Sequence, residues 1–307
     1  MLIQLSLPSK LFMKLSLGTA TFGQSYGILN GSSILHPSEC DEILNCAQLQ
    51  RIVSIDTAQV YGCSESIIGA SSVSKSLFKI SSKINIPSNT ETNISYSFLY
   101  DSVLTSLRNL QVSALDTLYL HTYPLPSLSV IDDIVESFLL LKNNGLIHNL
   151  GVSLYTPDQI DFIRDLPFNV LQIPFSAINQ SFLPFLISNQ STKRYRIRLR
   201  SIFLQGILLS SPNALRSKGF SSRFISHLQN YFLYLESINK TPLQYALGTA
   251  LSVDPSEVIV GVYNKCQLLD ICSAYRHVSR LINGNLFNEK DFAYDDPTYY
   301  DPRNWAQ

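Results

Sequence analysis

IDTAQVYGCSESIIG, residues 55–69, decides the fold. It begins at the end of an apolar run (IVSID, 52–56), passes through a short loop and enters a segment of helical period over about 64–72. Apolar residues at consecutive rather than alternate positions mark a strand buried on both faces, and a helix directly after it makes one βα unit. Outward in both directions the same unit recurs. Further strands are predicted at 15–19, 77–82, 115–120, 147–152, 168–173, 196–203 and 257–261. Helices are predicted from Pro37, then over about 94–109, 130–144, 157–165, 181–189 and 265–282, with an extra segment at 241–252. Pro37 and Pro157 suit a first helical turn, Ser64 or Ser66 a cap, and Gly145 a helix C-terminus. Eight strands, each followed by a helical segment, predict a closed α/β barrel, the (β/α)8 TIM barrel, in place of an open doubly wound sheet.

With 307 residues and 45% hydrophobic composition, the chain has enough apolar surface for one large core. We expect a loose extension over residues 1–13 and a single domain over 14–307, because nothing resembling a linker, repeat or low-complexity tract divides it. The formal net charge is zero, which removes the electrostatic argument for nucleic acid or a membrane surface. No apolar run approaches the ~18 residues of a membrane span, and the first residues are too interrupted by Pro8, Lys10 and Lys14 for a signal peptide. Five cysteines with no C-x-x-C spacing predict reduced thiols, no structural metal and a cytoplasmic protein. Asn-x-Ser triplets at Asn30, Asn93, Asn179 and Asn189 carry no weight in a chain this rich in Ser and Asn. A monomer is the default expectation.

In such a barrel the chemistry lies at the C-terminal ends of the strands. Four groups fall there. Asp56 closes the second strand, Tyr61 follows in the next loop, Lys83 closes the third strand and His121 the fourth. Singly, each has an ordinary reading: a turn former, a packing ring, a solvated charge, a structural imidazole. Together they form a proton-transfer set. A phenol with a pKa near ~10 is a poor acid at neutral pH, and a neighbouring ammonium lowers that value. A carboxylate fixes the ammonium, and a neutral imidazole can donate to a carbonyl oxygen. Such a set suits protonation of an alkoxide as hydride reaches an aldehyde or ketone.

These residues resemble the aldo-keto reductase family, over nearly the whole chain from about residue 14. LSLGTATFGQSYGI (15–28) is similar to the family's first strand and turn, and IDTAQVYGCSESIIG to its second strand and following run. The resemblance implies a tetrad of Asp56 (lysine anchor), Tyr61 (general acid/base), Lys83 (pKa depressor) and His121 (substrate orienter). It also implies a nicotinamide cofactor. LGVSLY (150–155) places Ser153, and VLQIPFS (170–176) places Gln172, at the nicotinamide amide. RSIFLQGILL (200–209) offers Ser201, Phe203, Gln205 and Gly206 to the pyrophosphate. VIVGVYNKCQL (258–268) offers Gly261, Val262, Lys265 and Gln267 to the adenosine end, where a helix N-terminus presents free N–H groups.

The chain departs from the family at three points. Leu154 stands where many members have Asn, and Arg200 where many have a Tyr stacked on the nicotinamide. A guanidinium can stack as well, but Arg194, Arg196, Arg198 and Arg200 also alternate on one strand face, which allows a structural role. Gln267 stands where NADP-preferring members often have Arg, so the lean to NADP over NAD rests on Lys265. No GxGxxG follows a strand, so a Rossmann fold has no support.

The expected activity is reduction of a small-molecule aldehyde or ketone to an alcohol. Two alternatives stand beside it: a cofactor-binding regulatory protein of the same fold, and a barrel isomerase or aldolase using Lys83 as a Schiff-base amine. The loops after strands 1, 4 and 7 and the tail at 291–307 mix Tyr, Phe, Ser and Pro, which suits a sugar-like or a small aromatic carbonyl. The loop after strand 4 is short and uncharged and gives no reason to expect an acidic substrate.

Overall fold

A computed structural model describes residues 13–28, 34–86, 94–216, 218–281 and 291–305. Residues 1–12 of the expected extension, and Asn30 and Asn93, lie outside the described residues. Eight parallel strands close into a barrel in sequence order: β1 (Leu15–Gly18), β2 (Ser54–Asp56), β3 (Lys79–Ile84), β4 (Leu115–Leu120), β5 (Ile147–Ser153), β6 (Val170–Pro174), β7 (Arg196–Arg200) and β8 (Glu257–Gly261). β8 closes the ring on β1, with Gly18 opposite Gly261. The predicted (β/α)8 barrel is the fold of the chain.

Helices cover the outside. Pro37–Leu49 begins with His36 and Glu39 in a reciprocal capping box and puts Cys40, Ile43, Leu44 and Ala47 on the sheet. Tyr96–Leu110 and Leu128–Asn143 bury Leu99, Val103, Leu110, Ile131, Ile134 and Phe138 in the same way. Gly145, at φ +72°, ends the second of these as the sequence implied.

Several local expectations change. Ser64 does not cap the helix Ser64–Ala70. It lies inside the helix and donates to the Thr19 carbonyl, tying β1's loop to β2's. Pro157 precedes the short helix Gln159–Ile163 instead of opening it. β7 stops at Arg200 and does not run to Phe203, because Ser201 takes a left-handed φ of +61°. Between β7 and β8 lies a 16-residue helix, Ser222–Ser237, followed by Pro242–Ser252 where the extra segment is predicted.

The barrel interior is polar below its rim. Arg198 is buried and donates to Ser81 Oγ (2.7 Å) and Tyr119 Oη (3.0 Å), and it pairs with Asp116 (2.8 Å) and Glu257 (3.1 Å). Ser54 links Ser16 to Glu257. Gly151 belongs to this packing, since a Cβ there would meet the Tyr119 ring at 2.4 Å. The face shared by Arg196, Arg198 and Arg200 is thus the barrel's inside, while Arg194 precedes the strand.

Candidate active site

Register brings the first three groups together. Asp56 pairs with Ser81 across β2 and β3, and Lys83, two residues on, shares Ser81's face. Lys83 is 1% exposed and Asp56 3%. Lys83 Nζ donates to Asp56 Oδ2 (2.5 Å), the Thr57 carbonyl (2.8 Å) and Tyr61 Oη (3.4 Å). Gln172 Nε2 donates to the other carboxylate oxygen at 2.7 Å. Both oxygens of Asp56 are therefore committed, and the carboxylate serves as an anchor.

Burial acts most strongly on the ionisable groups. It raises the Tyr61 phenol above its ordinary range, Asp56 and Tyr155 add to that rise, and Arg200 opposes it. The expected lowering of the phenol's pKa is thus outweighed, and Tyr61 holds its proton at neutral pH. Burial also lowers Lys83, against the pull of Asp56. His121 falls to about 3, through burial first and then the charges of Lys83 and Arg200. Its imidazole is neutral at physiological pH, as the sequence reading required.

Asp56, Tyr61, His121 and Gln172 line one cavity of about 670 Å³ at the C-terminal mouth of the barrel. Of the other residues assigned to the cofactor, Arg200, Ser201, Phe203, Gln205, Gly206, Gly261 and Gln267 line the same cavity. Three do not. Lys265 is paired with Glu42 at 2.7 Å. Val262 is buried, with its carbonyl accepting from Thr21. Ser153 is fully buried, and its Oγ has no partner. Gln172 spends its amide N–H on Asp56, and the Gln267 carbonyl oxygen accepts from the Tyr263 N–H. The loop after β7 is held in left-handed backbone at Ser201, Leu204 and Gln205, a costly conformation in a loop whose Ser201 and Gln205 line the cavity.

The structure adds residues the sequence reading missed. Tyr155 Oη lies 2.7 Å from His121 Nε2. Its ring lies against the guanidiniums of both Arg200 (4.6 Å) and Arg303 (4.1 Å). Arg303 comes from the C-terminal segment, is paired with Asp301 and also covers Tyr123 at 3.8 Å. At the other wall, Tyr263 Oη donates to the Tyr26 carbonyl and joins the loops after β8 and β1. Tyr155 ends the quoted LGVSLY stretch, so its position was readable; its partners on the distant tail were not.

Comparison with known proteins fits this geometry. Residues 14–191 match the aldo/keto reductase family. The chain belongs to the aldo/keto reductase family. It is 29% identical over 149 residues to a D-arabinose 1-dehydrogenase of Saccharomyces cerevisiae, a match covering 44% of each chain, so it spans less than half the length of that curated relative. Among solved structures it resembles a Bacillus halodurans aldo-keto reductase in its holo form (TM-score 0.69, 17% identity, 90% of this chain and 94% of that one). A glycerol dehydrogenase of Gluconobacter oxydans is similar too (TM-score 0.65, 18% identity, 93% and 96%). At these identities the two structures speak to the fold alone. Among the described residues of this family member, no helix is long and apolar enough to cross a membrane, and no cluster of metal-ligating side chains occurs.

Proposed function

We propose that this aldo/keto reductase family member is a nicotinamide-dependent oxidoreductase that reduces a small aldehyde or ketone to an alcohol, reversibly, with Tyr61 as the proton donor. The observation that carries the reading is Lys83, buried between the Asp56 carboxylate and the Tyr61 hydroxyl. The cavity fits a dinucleotide. It is large enough, and a helix N-terminus lies beside Gln267 in its wall.

When bound, a reduced nicotinamide supplies the hydride. The chain's own residues handle the proton. Tyr61 stays protonated because burial and Asp56 raise its pKa, and an alkoxide is a much stronger base than the phenolate left behind. As negative charge moves onto Tyr61 Oη, the Lys83 N–H already aimed at it strengthens its hydrogen bond. Asp56, held by Gln172, keeps Lys83 at that distance. His121, neutral and tied to Tyr155, orients the carbonyl oxygen. For the dinucleotide, Lys265 is engaged with Glu42, and Asp270 lines the cavity beside Gln267. A carboxylate there disfavours a 2′-phosphate and suits a ribose hydroxyl, so this arrangement favours NAD over the NADP that Lys265 suggests from sequence.

The test is fluorescence titration with NADH and NADPH, followed by cofactor consumption against a panel of aldehydes. Binding of NADH with turnover that Tyr61→Phe reduces on the order of 10²- to 10⁴-fold, at unchanged cofactor affinity, is the expected result. Binding without turnover, indifferent to Tyr61→Phe, would overturn the enzyme reading in favour of a regulatory one.

A further inference from the structure

The reacting end of the cavity carries an unbalanced positive charge. Lys83 is neutralised by Asp56, and Arg303 by Asp301, whose two oxygens accept from Arg303 Nε at 2.9 and 3.0 Å. Arg200 has no such partner. Among the described residues no carboxylate forms an ion pair with it; its Nη2 donates to the Leu154 carbonyl at 3.0 Å, and its Nη1 reaches Ser201 Oγ only at 3.5 Å. Its Nε is buried and unpartnered. Arg200 is half-buried and lines the cavity, so a guanidinium without a paired anion stands where a bound anion can reach it, and its pairing there is stronger than in open water.

The position of this charge selects the anion's source. Arg200 lies over the Tyr155 ring, and Tyr155 holds His121, so the guanidinium stands at the tyrosine and imidazole end of the cavity. Its field reaches both Tyr61 and His121. The geometry points to a substrate that is a carbonyl compound bearing a carboxylate, with Arg200 as the anchor for that carboxylate. A planar carboxylate accepts in the plane of a guanidinium, a match that a hydroxyl or a single point charge does not make. The uncharged loop after β4 had given no hint of an acidic substrate; the charge comes from the end of β7 instead. This inference rests on the reductase reading above.

The probes are 4-carboxybenzaldehyde and its neutral methyl ester, which share the ring and the reacting carbonyl. Wild type, Arg200→Gln and Arg200→Lys are compared by kcat/KM on both, by NADH affinity from fluorescence, and by calorimetry of 4-(hydroxymethyl)benzoate on protein saturated with NAD. We expect wild type to prefer the acid, and that preference to fall on the order of 10- to 100-fold in Arg200→Gln, the worth of a charge-assisted hydrogen bond. Arg200→Lys should restore part of it, with NADH affinity little changed throughout. A preference near one in wild type would overturn the inference. So would an unchanged preference in Arg200→Gln with NADH affinity weakened tenfold or more, which would assign Arg200 to the cofactor's phosphates. If neither aldehyde turns over, the reductase reading fails separately, and calorimetry decides: benzoate binding lost in Arg200→Gln still supports the anion site, and benzoate binding retained sinks it.

Discussion

Tyr155 has four neighbours: Arg200 and Arg303 against its ring, His121 at its hydroxyl and Tyr123 edge-on at 5.4 Å. Removing only the hydroxyl tests what this clamp does for His121. Tyr155→Phe should lower kcat about tenfold while cofactor affinity holds, and His121→Gln in the same background should add little, because the two act as a unit. A double-mutant cycle on kcat checks this. His121 itself makes stability depend on pH. Its folded pKa of about 3 lies below the unfolded value near ~6.5, so the unfolded state binds more protons between them and stability falls as pH falls through that window. Urea unfolding should show wild type losing roughly 1–2 kcal/mol more than His121→Gln between pH 7 and pH 5. At this scale Asp56, Tyr61, Lys83 and His121 were legible because each sits at a strand end or in a fixed loop spacing. Asp301 and Arg303 were not, because their place depends on where a tail some 180 residues after His121 comes to rest.

The C-terminal segment has only two single-turn 3-10 helices, Pro297–Tyr299 and Pro302–Asn304, yet it is packed as a core element. Phe292 is buried with Tyr231, Tyr234 and Tyr245, and Trp305 meets Phe220 edge-on at 6.0 Å. Phe292→Ala should cost about 3–5 kcal/mol in a urea titration, since a buried ring is lost with little room for collapse. The helix Ser222–Ser237, on which this segment rests, is the seventh helix that the stretch 204–256 has to contain, and its bounds could not be placed from sequence although its signals are present. Ser221 caps it by accepting from Phe224 N at 3.2 Å, and Phe224, Ile225, Leu228, Tyr231 and Leu235 follow a helical period. Its serine and aromatic content reads as loop when taken residue by residue. The link from Tyr263 to the Tyr26 carbonyl joins two loops over the cavity mouth. Tyr263→Phe should raise the NADH off-rate severalfold in stopped-flow fluorescence, without changing the rate of the chemical step.

For the molecule as a whole, eight buried strands with helices between them made the barrel readable from one end of the sequence to the other. What the pattern did not convey was how the barrel is filled. Interiors of this type are usually packed with branched aliphatic side chains, and here Arg198 with Asp116, Glu257 and Tyr119 occupies the centre. Charged residues in a strand read as edge or solvent positions, because sequence gives no measure of a partner three strands away. Arg198→Met should destabilise by about 3–5 kcal/mol, leaving two half-buried carboxylates without a cation. Adding Asp116→Asn and Glu257→Gln should return most of that loss, as judged from denaturation midpoints.

Closure of the ring also sets a schedule for the newborn chain. β1 makes its second set of strand hydrogen bonds with β8, whose residues emerge from the ribosome some 240 positions later. At about 5–20 residues per second, that edge waits on the order of 10–50 s for its partner. Leu15 and Leu17 therefore belong to the last seam to be sewn, although they are among the first residues of the barrel to be made. Throughout synthesis that seam is where a neighbouring nascent strand can intrude, and where a chaperone has most to protect.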